Sequence, residues 1–201
     1  MKSVLLSIKP KYCELIAGGI KTIEVRKTKP KLDTPFKCYI YETKTKDYYS
    51  VFQETTMGKV IGEFVCSEIT EFESEFWDDE TYERIQTIIK DCERYFESGE
   101  YEYETVATNE YEKYKENWLC KQSCVSWEEM RKYVGTGIKE FYGWHISNLK
   151  IYDTPKELSE FKQRHKCEHY FYCKAGEYSC DGVYKLTSPP QSWCYVEEVT
   201  E

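Results

Sequence analysis

The sequence predicts an α+β fold: a small β-barrel that carries a helical insertion and a C-terminal cysteine-containing loop. Two observations favour this fold. Short segments with the apolar or alternating pattern of strands occupy both ends of the 201-residue chain, with one short helix among the first of them. Between these ends, residues 67–117 contain seventeen acidic and five basic residues with apolar side chains at helical spacing. We therefore expect a single domain over residues 1–201, with an acidic helical insertion at about 72–135 and a C-terminal elaboration at about 153–201.

The N-terminal region is predicted to form a strand, a helix and a second strand. Residues 3–8 are short and apolar, as in a buried strand. Pro10 favours a helix start, because the N–H group that proline lacks would be unpaired in the first turn in any case. Gly18–Gly19 favours the end of that helix. The segment KTIEVRK alternates apolar with polar residues, which predicts a half-buried strand. Its polar face carries Thr22, Glu24 and Arg26.

The later elements follow from the same periodicities. Further strands are predicted at 35–43, 58–69, 140–152 and in the last segment, 189–199. Gly62, inside the second of these, indicates a bulge or a close approach of another backbone. Helices are predicted at 78–98, at about 104–119 and at 126–135. The last helix begins with Ser126 and Glu129 in the positions of a capping box.

Several of these segments resemble ASCH domains, which belong to the PUA-like superfamily of β-barrels. VLLSIKPKYCELIAGGIKTIEVRK contains the pattern Gly-x-Lys-x-x-Glu-x-Arg, and KVIGEFVCSEI, YGWHISNLKIYDTPKELSEF and PPQSWCYV are similar to later segments of bacterial and phage members. The residues that fill the pattern are Gly19, Lys21, Glu24 and Arg26. The resemblance implies a barrel with a cleft, partly lined by this motif, that takes RNA or a nucleoside. Some small members resemble amidohydrolases that deacetylate 4-acetylcytidine; Lys21 matches their Lys, and Glu24 stands where they have a Thr.

The charge distribution supports a nucleic-acid site at one end of an acidic chain. Residues 1–31 contain eight basic and two acidic residues, although the whole chain has a net charge of −8. We expect Lys21 and Arg26 to hold an anionic or carbonyl group and Glu24 to orient them. A rim of lysines would contact phosphates, and aromatic rings would stack on a base. The rim consists of Lys9, Lys11, Lys27, Lys29 and Lys31. The predicted ligand-binding residues are Lys9, Lys21, Glu24, Arg26, Tyr41 and Trp144.

Two other functions fit the sequence. A hydrolase acting on an acylated nucleoside or on RNA would use Lys21 and Glu24 as its catalytic residues, with Glu24 as general base and Lys21 stabilising an oxyanion. A protein–protein adaptor would use the acidic insertion as its binding surface. The plainest structural alternative for the motif is an exposed strand face with a Glu–Arg ion pair that contributes little.

The cysteines allow one metal site. Ten cysteines in 201 residues are too few for a disulfide scaffold, and no signal peptide or apolar segment of membrane length is evident. We therefore expect a cytoplasmic protein with reduced thiols, no membrane association and no cofactor, apart from a possible structural zinc. The zinc ligands would be Cys167, Cys173 and Cys180, with His169 and Cys194 as further candidates.

Overall fold

The chain divides into two compact units. The computed structural model describes residues 2–45, 56–73, 116–135, 140–164 and 182–199. The first unit comprises Met1–Thr22, Pro30–Ile69 and Trp144–Glu201. The second unit comprises Ile23–Lys29 and Thr70–Gly143. The range predicted as a helical insertion, about 72–135, lies within the sequence limits of the second unit, and most of it is outside the described residues.

Eight strands and three α-helices are present in the described residues. The strands are β1 (Lys2–Ile8), β2 (Ile23–Arg26), β3 (Phe36–Glu42), β4 (Val60–Glu73), β5 (Glu140–Lys156), β6 (Lys162–Arg164), β7 (Val183–Lys185) and β8 (Trp193–Glu197). The helices are α1 (Pro10–Ala17), α2 (Glu116–Ser123) and α3 (Trp127–Val134), and a 3-10 turn covers Leu158–Glu160. No helix in these parts of the chain is long and apolar enough to cross a membrane.

The first unit is organised around β1 and β3, which pair in parallel. β8 pairs antiparallel with the other edge of β1, and β4 pairs antiparallel with β3. One core cluster contains apolar and tyrosine side chains from several of these strands: Leu5, Tyr39, Tyr41, Val60, Phe161, Leu186 and Val196. α1 contributes Pro10, Cys13 and Ile16, all buried. Gly62 allows a close backbone approach, as predicted, because a Cβ at this position would lie 2.6 Å from the Lys150 carbonyl oxygen.

The second unit has its own core. Its buried side chains come from β2, from the two helices and from the beginning of β5: Ile23, Val25, Leu119, Met130, Val134 and Phe141. The predicted capping box at the start of α3 is confirmed. Ser126 Oγ accepts a hydrogen bond from the Glu129 backbone N–H at 3.2 Å, and Glu129 Oε2 accepts one from the Ser126 N–H at 3.3 Å. Both ends of this box satisfy donors that the first helical turn would otherwise leave unpaired.

The predicted α+β class is confirmed, whereas the closed barrel is not. The larger sheet has the strand order β2-β5-β4-β3-β1-β8, and β6 pairs with β7 in a separate two-stranded sheet that the sequence did not predict. In the described part of the chain the larger sheet therefore has two ends rather than a closed ring. The helix predicted at 78–98 and most of the one at about 104–119 lie outside the described residues.

Candidate functional site

Glu24 and Arg26 form a buried ion pair in the second unit. Arg26 Nη2 lies 2.9 Å from Glu24 Oε1, and the two side chains are 6% and 10% exposed for Arg26 and Glu24, respectively. The strand predicted here is confirmed as β2, but all four of its residues are buried, so the predicted exposure of its polar face is wrong. Alternation of apolar and polar residues shows which face of a strand is polar. It does not show whether another part of the protein packs over that face.

The environment of this pair changes what it can do. Removing two charged groups from water is costly, and their attraction offsets that cost only when the geometry is good. At 2.9 Å the Glu24–Arg26 contact is a charge-assisted hydrogen bond. The pair thus places a guanidinium donor group and a carboxylate acceptor side by side in a poorly hydrated site. Such an arrangement favours polar recognition over contribution to stability.

Lys21 is the corresponding buried charge of the first unit. Its residue is 1% exposed, and its Nζ lies 5.0 Å from the centroid of the Tyr12 ring, which is a favourable cation–π distance. Gly19, with φ of 69°, ends α1 in the left-handed conformation. That conformation lets the Lys21 N–H donate to the Leu15 carbonyl at 3.0 Å. The glycine of the motif therefore fixes the backbone position of its lysine.

The lysines of the predicted rim are all exposed: Lys9, Lys11, Lys27, Lys29 and Lys31. Several of them lie over tyrosine rings of their own unit. In the second unit, Lys27 Nζ is 5.3 Å from the Tyr133 ring centroid, and Lys29 Nζ is 5.1 Å from that of Tyr142. Lys29 also forms an ion pair with Glu71. Exposed ammonium groups of this kind suit contact with a hydrated phosphate better than with a buried base.

Comparison with known proteins decides the family. A model of the ASCH domain family matches residues 6–124, more than half of the chain, and the match includes the complete Gly-x-Lys-x-x-Glu-x-Arg motif. The chain belongs to the ASCH domain family. The predicted resemblance is thereby confirmed. A search of curated proteins found no match to the sequence.

Crystal structures of another ASCH protein share the fold of this ASCH domain. ASCH from Zymomonas mobilis is 15% identical, with a TM-score of 0.50 and coverage of 98% of this chain and 88% of that one. A point mutant of the same protein from Zymomonas mobilis is 14% identical, with a TM-score of 0.51 and coverage of 98% and 89%. At such identities the likeness shows the fold alone.

The two aromatic residues predicted to bind ligand lie in the core of the first unit. Tyr41 is 4% exposed and belongs to the core cluster; burial raises the pKa of its hydroxyl. Trp144 is fully buried. Its ring packs edge-on against Phe36 at 5.7 Å and lies 6.0 Å from Trp193. Stacking of either ring on a base stays a prediction and would require the ASCH domain to open around it.

The cysteines predicted to bind zinc lie outside the described residues: Cys167, Cys173 and Cys180, together with His169. Cys194 is described, and burial raises the pKa of its thiol to about 11. In the described ranges no three His, Cys, Asp or Glu side chains are grouped to hold a metal ion. The zinc site stays a prediction.

Glu42 is a buried charge that sequence reasoning missed. The residue closes β3 and is 3% exposed. Burial raises the pKa of its carboxyl, and a hydrogen bond from the Thr56 side chain opposes that shift. Its Oε2 has no hydrogen-bond partner within the described part of the ASCH domain. The sequence carries no signal for this burial, because a polar residue at the end of a strand is ordinary and the pattern does not report what covers it.

Proposed function

We propose that this ASCH domain binds RNA or a modified nucleoside through the charged residues of its motif, Lys21, Glu24 and Arg26. The observation that supports this most is that all three charged residues are held away from bulk water, so that, as for Tyr41 and Trp144, a ligand would reach them only where the domain opens around them. Charged side chains are almost never fully buried unless they are paired or used. An ion pair such as Glu24–Arg26 could be replaced by apolar residues at little or no cost in stability, so its presence favours a role in recognition.

The chemistry of the buried groups favours the edge of a base as their ligand. Arg donates two parallel hydrogen bonds to acceptors such as those of guanine, and Glu accepts from the amino group of cytosine. A phosphate backbone carries its hydration with it and is better served by exposed cations. We therefore assign base recognition to the motif and phosphate attraction to the exposed lysines that follow it, such as Lys27 and Lys31.

Binding is better supported than hydrolysis. Glu24 Oε1 is bonded to Arg26 Nη2 at 2.9 Å, a geometry that suits a residue holding a guanidinium in place. Glu24 also stands at the position of the Thr that acts in the small amidohydrolase members. The adaptor function rests on the acidic insertion, most of which lies outside the described residues, and it stays a prediction.

The proposal is tested by titrating nucleosides into wild type and a Lys21→Met variant, which keeps the aliphatic stem and removes the charge. Loss of a hydrogen bond to a charged group should weaken binding by about tenfold or more. Lys185→Met removes an exposed lysine outside the motif and should leave binding unchanged. Chromatography of the same mixtures reports turnover of 4-acetylcytidine. Equal affinity of the Lys21→Met variant, or wild-type turnover that is lost in Glu24→Gln, would overturn the proposal.

A further inference from the structure

A cavity of about 280 Å³ lies in the first unit, apart in sequence from the motif. It is lined by Lys2, Arg164, Tyr195, Val196 and Glu197. The register of the sheet explains why these residues meet, because Lys2 at the start of β1 pairs with Glu197 at the end of β8. Arg164 ends β6 and reaches the same place through its contact with Glu197. The cavity therefore joins the ends of three strands.

Tyr195 forms a fixed aromatic wall of this cavity. Trp193 packs edge-on against it, with ring centroids 5.4 Å apart and an interplanar angle of 80°. The Tyr195 hydroxyl accepts a hydrogen bond from the Lys31 backbone N–H at 2.7 Å. Contacts at the ring and at the hydroxyl together restrict both rotation and displacement of the side chain. A pre-positioned ring of this kind loses little conformational entropy when it stacks on a ligand.

Two cationic side chains line the same cavity. Lys2 Nζ lies 5.7 Å from the Tyr195 ring centroid. Arg164 donates from Nε and Nη2 to Glu197 Oε1, at 2.9 and 2.7 Å, and its side chain is 66% exposed. Glu197 thus orients the guanidinium while two of its five N–H donors are in use. With two cations and one carboxylate, the lining carries a net positive charge.

We propose that this cavity binds a nucleoside 5′-monophosphate, with its base against Tyr195 and its phosphate held by Lys2 and Arg164. A cavity lined by an aromatic ring, a planar guanidinium and an ammonium matches a planar base joined to an anion. The volume is near the lower limit for ligand pockets, about 300 Å³, so the cavity accommodates one nucleotide rather than a duplex. The site uses none of the motif residues and does not depend on the function proposed for them.

The test is a titration of uridine 5′-monophosphate, uridine and inorganic phosphate, followed by backbone amide NMR shifts of residues 193–197. Those amides report on the cavity itself. We expect the monophosphate to bind about tenfold or more tightly than uridine or phosphate, because a charge-assisted contact is added to stacking. Lys2→Met and Arg164→Met should each remove most of that advantage, and Tyr195→Leu should remove the contribution of the base.

Lys156→Met is the matched control, because Lys156 Nζ also lies over a tyrosine ring of the first unit, 4.9 Å from the centroid of Tyr152. It should not change the titration. Equal binding of uridine and its monophosphate, or equal effects of Lys156→Met and Lys2→Met, would overturn the site. Lys21→Met separates this proposal from that for the motif, since it should leave the shifts at 193–197 intact even where nucleoside binding by the motif is lost.

The source of the nucleotide is resolved by a short RNA with and without a 5′-phosphate. Tighter binding of the phosphorylated RNA than of the mononucleotide supports the site as a reader of RNA 5′ ends. Equal affinity for the phosphorylated RNA and for the mononucleotide supports the cavity as a site for free nucleotide. If both RNAs bind with the same affinity, with or without the 5′-phosphate, and the amide shifts of residues 193–197 do not change, the proposed nucleotide site is contradicted.

Discussion

The motif and the lysine-rich segment after it both carry cationic side chains, but those of the motif are buried and those of the segment are exposed. Within residues 21–26, all three charged side chains are buried. Within residues 27–31, all three lysines are exposed. The change occurs between Arg26, at the end of β2, and the next residue along the chain. Adjacent stretches of one segment therefore present two kinds of electrostatic surface.

The difference indicates a division of labour. A buried charge is costly to maintain and interacts strongly with whatever replaces its water, so it discriminates among ligands. An exposed lysine costs little, is screened by salt and attracts any phosphate. The motif is thus suited to selecting a ligand and the lysines to concentrating it near the protein. Each property can be altered without the other, and this makes the comparison testable.

The largest effect is expected from breaking the buried ion pair on one side only. Arg26→Met leaves the Glu24 carboxylate buried without its charge partner and should lower the free energy of unfolding by about 3–5 kcal/mol. The double variant Glu24→Leu/Arg26→Met removes both charges and should restore most of that stability while nucleoside binding stays lost. Chemical denaturation and calorimetric titration measure the two effects separately.

The exposed pair of Arg164 and Glu197 serves as the control for this experiment, since their side chains are 66% and 37% exposed. Arg164→Met should lower stability by about 0–1 kcal/mol, the usual range for surface ion pairs. A double variant as unstable as Arg26→Met alone would show that the Glu24–Arg26 pair is structural. The argument for a recognition role would then fail.

The sequence predicted the placement of most strands and the family to which the motif belongs, because these depend on local patterns. β1, α1 and the capping box of α3 follow from an apolar run, a proline and a Ser–Glu spacing, which act within one turn or strand. The burial of Lys21, Glu24 and Glu42 depends instead on segments distant in the chain, and no periodicity reports it. The pairing of Lys2 with Glu197 across 195 positions, and hence the cavity, is likewise set by sheet register.

A second prediction concerns the exposed segment. Replacing Lys27, Lys29 and Lys31 with Ala should flatten the salt dependence of single-stranded RNA binding, because each phosphate contact contributes a slope of about 0.7 in log K against log salt. The total change should be up to about 2, with the smallest share from Lys29, whose ammonium pairs with Glu71. Fluorescence anisotropy at several salt concentrations measures the slope.

The control replaces three exposed lysines from other segments, Lys121, Lys132 and Lys185, which should leave the slope nearly unchanged. Equal slopes for wild type and the first triple variant would remove the exposed lysines from the phosphate-binding role. The exposed lysines would then have no role distinct from that of the buried charges, while the motif could still select a nucleoside.

The smallest effect is expected at Glu42, which shares burial with the motif but lies on another strand. Burial raises the pKa of its carboxyl above the ordinary value of 4.5. Between the ordinary and the raised pKa, the folded chain holds this proton and the unfolded chain has released it. Folding is therefore linked to proton uptake in that interval, and the stability contributed by Glu42 falls as pH rises through it. Above the raised pKa the ionised carboxylate imposes a constant cost.

Glu42→Gln removes that cost because an amide does not ionise and can still accept the hydrogen bond from Thr56. At neutral pH the variant should be more stable than wild type by on the order of 1 kcal/mol, because burying a neutral amide costs less than burying a carboxylate, and the difference should vanish below pH 4.5. Denaturation curves across this range measure it. Asp33→Asn, at an exposed position, should change stability by less than about 0.5 kcal/mol. A Glu42→Gln variant less stable than wild type at neutral pH would mean that the ionised carboxylate is stabilised in the fold, and Glu42 would then belong with structural ion pairs rather than with charges kept at a cost.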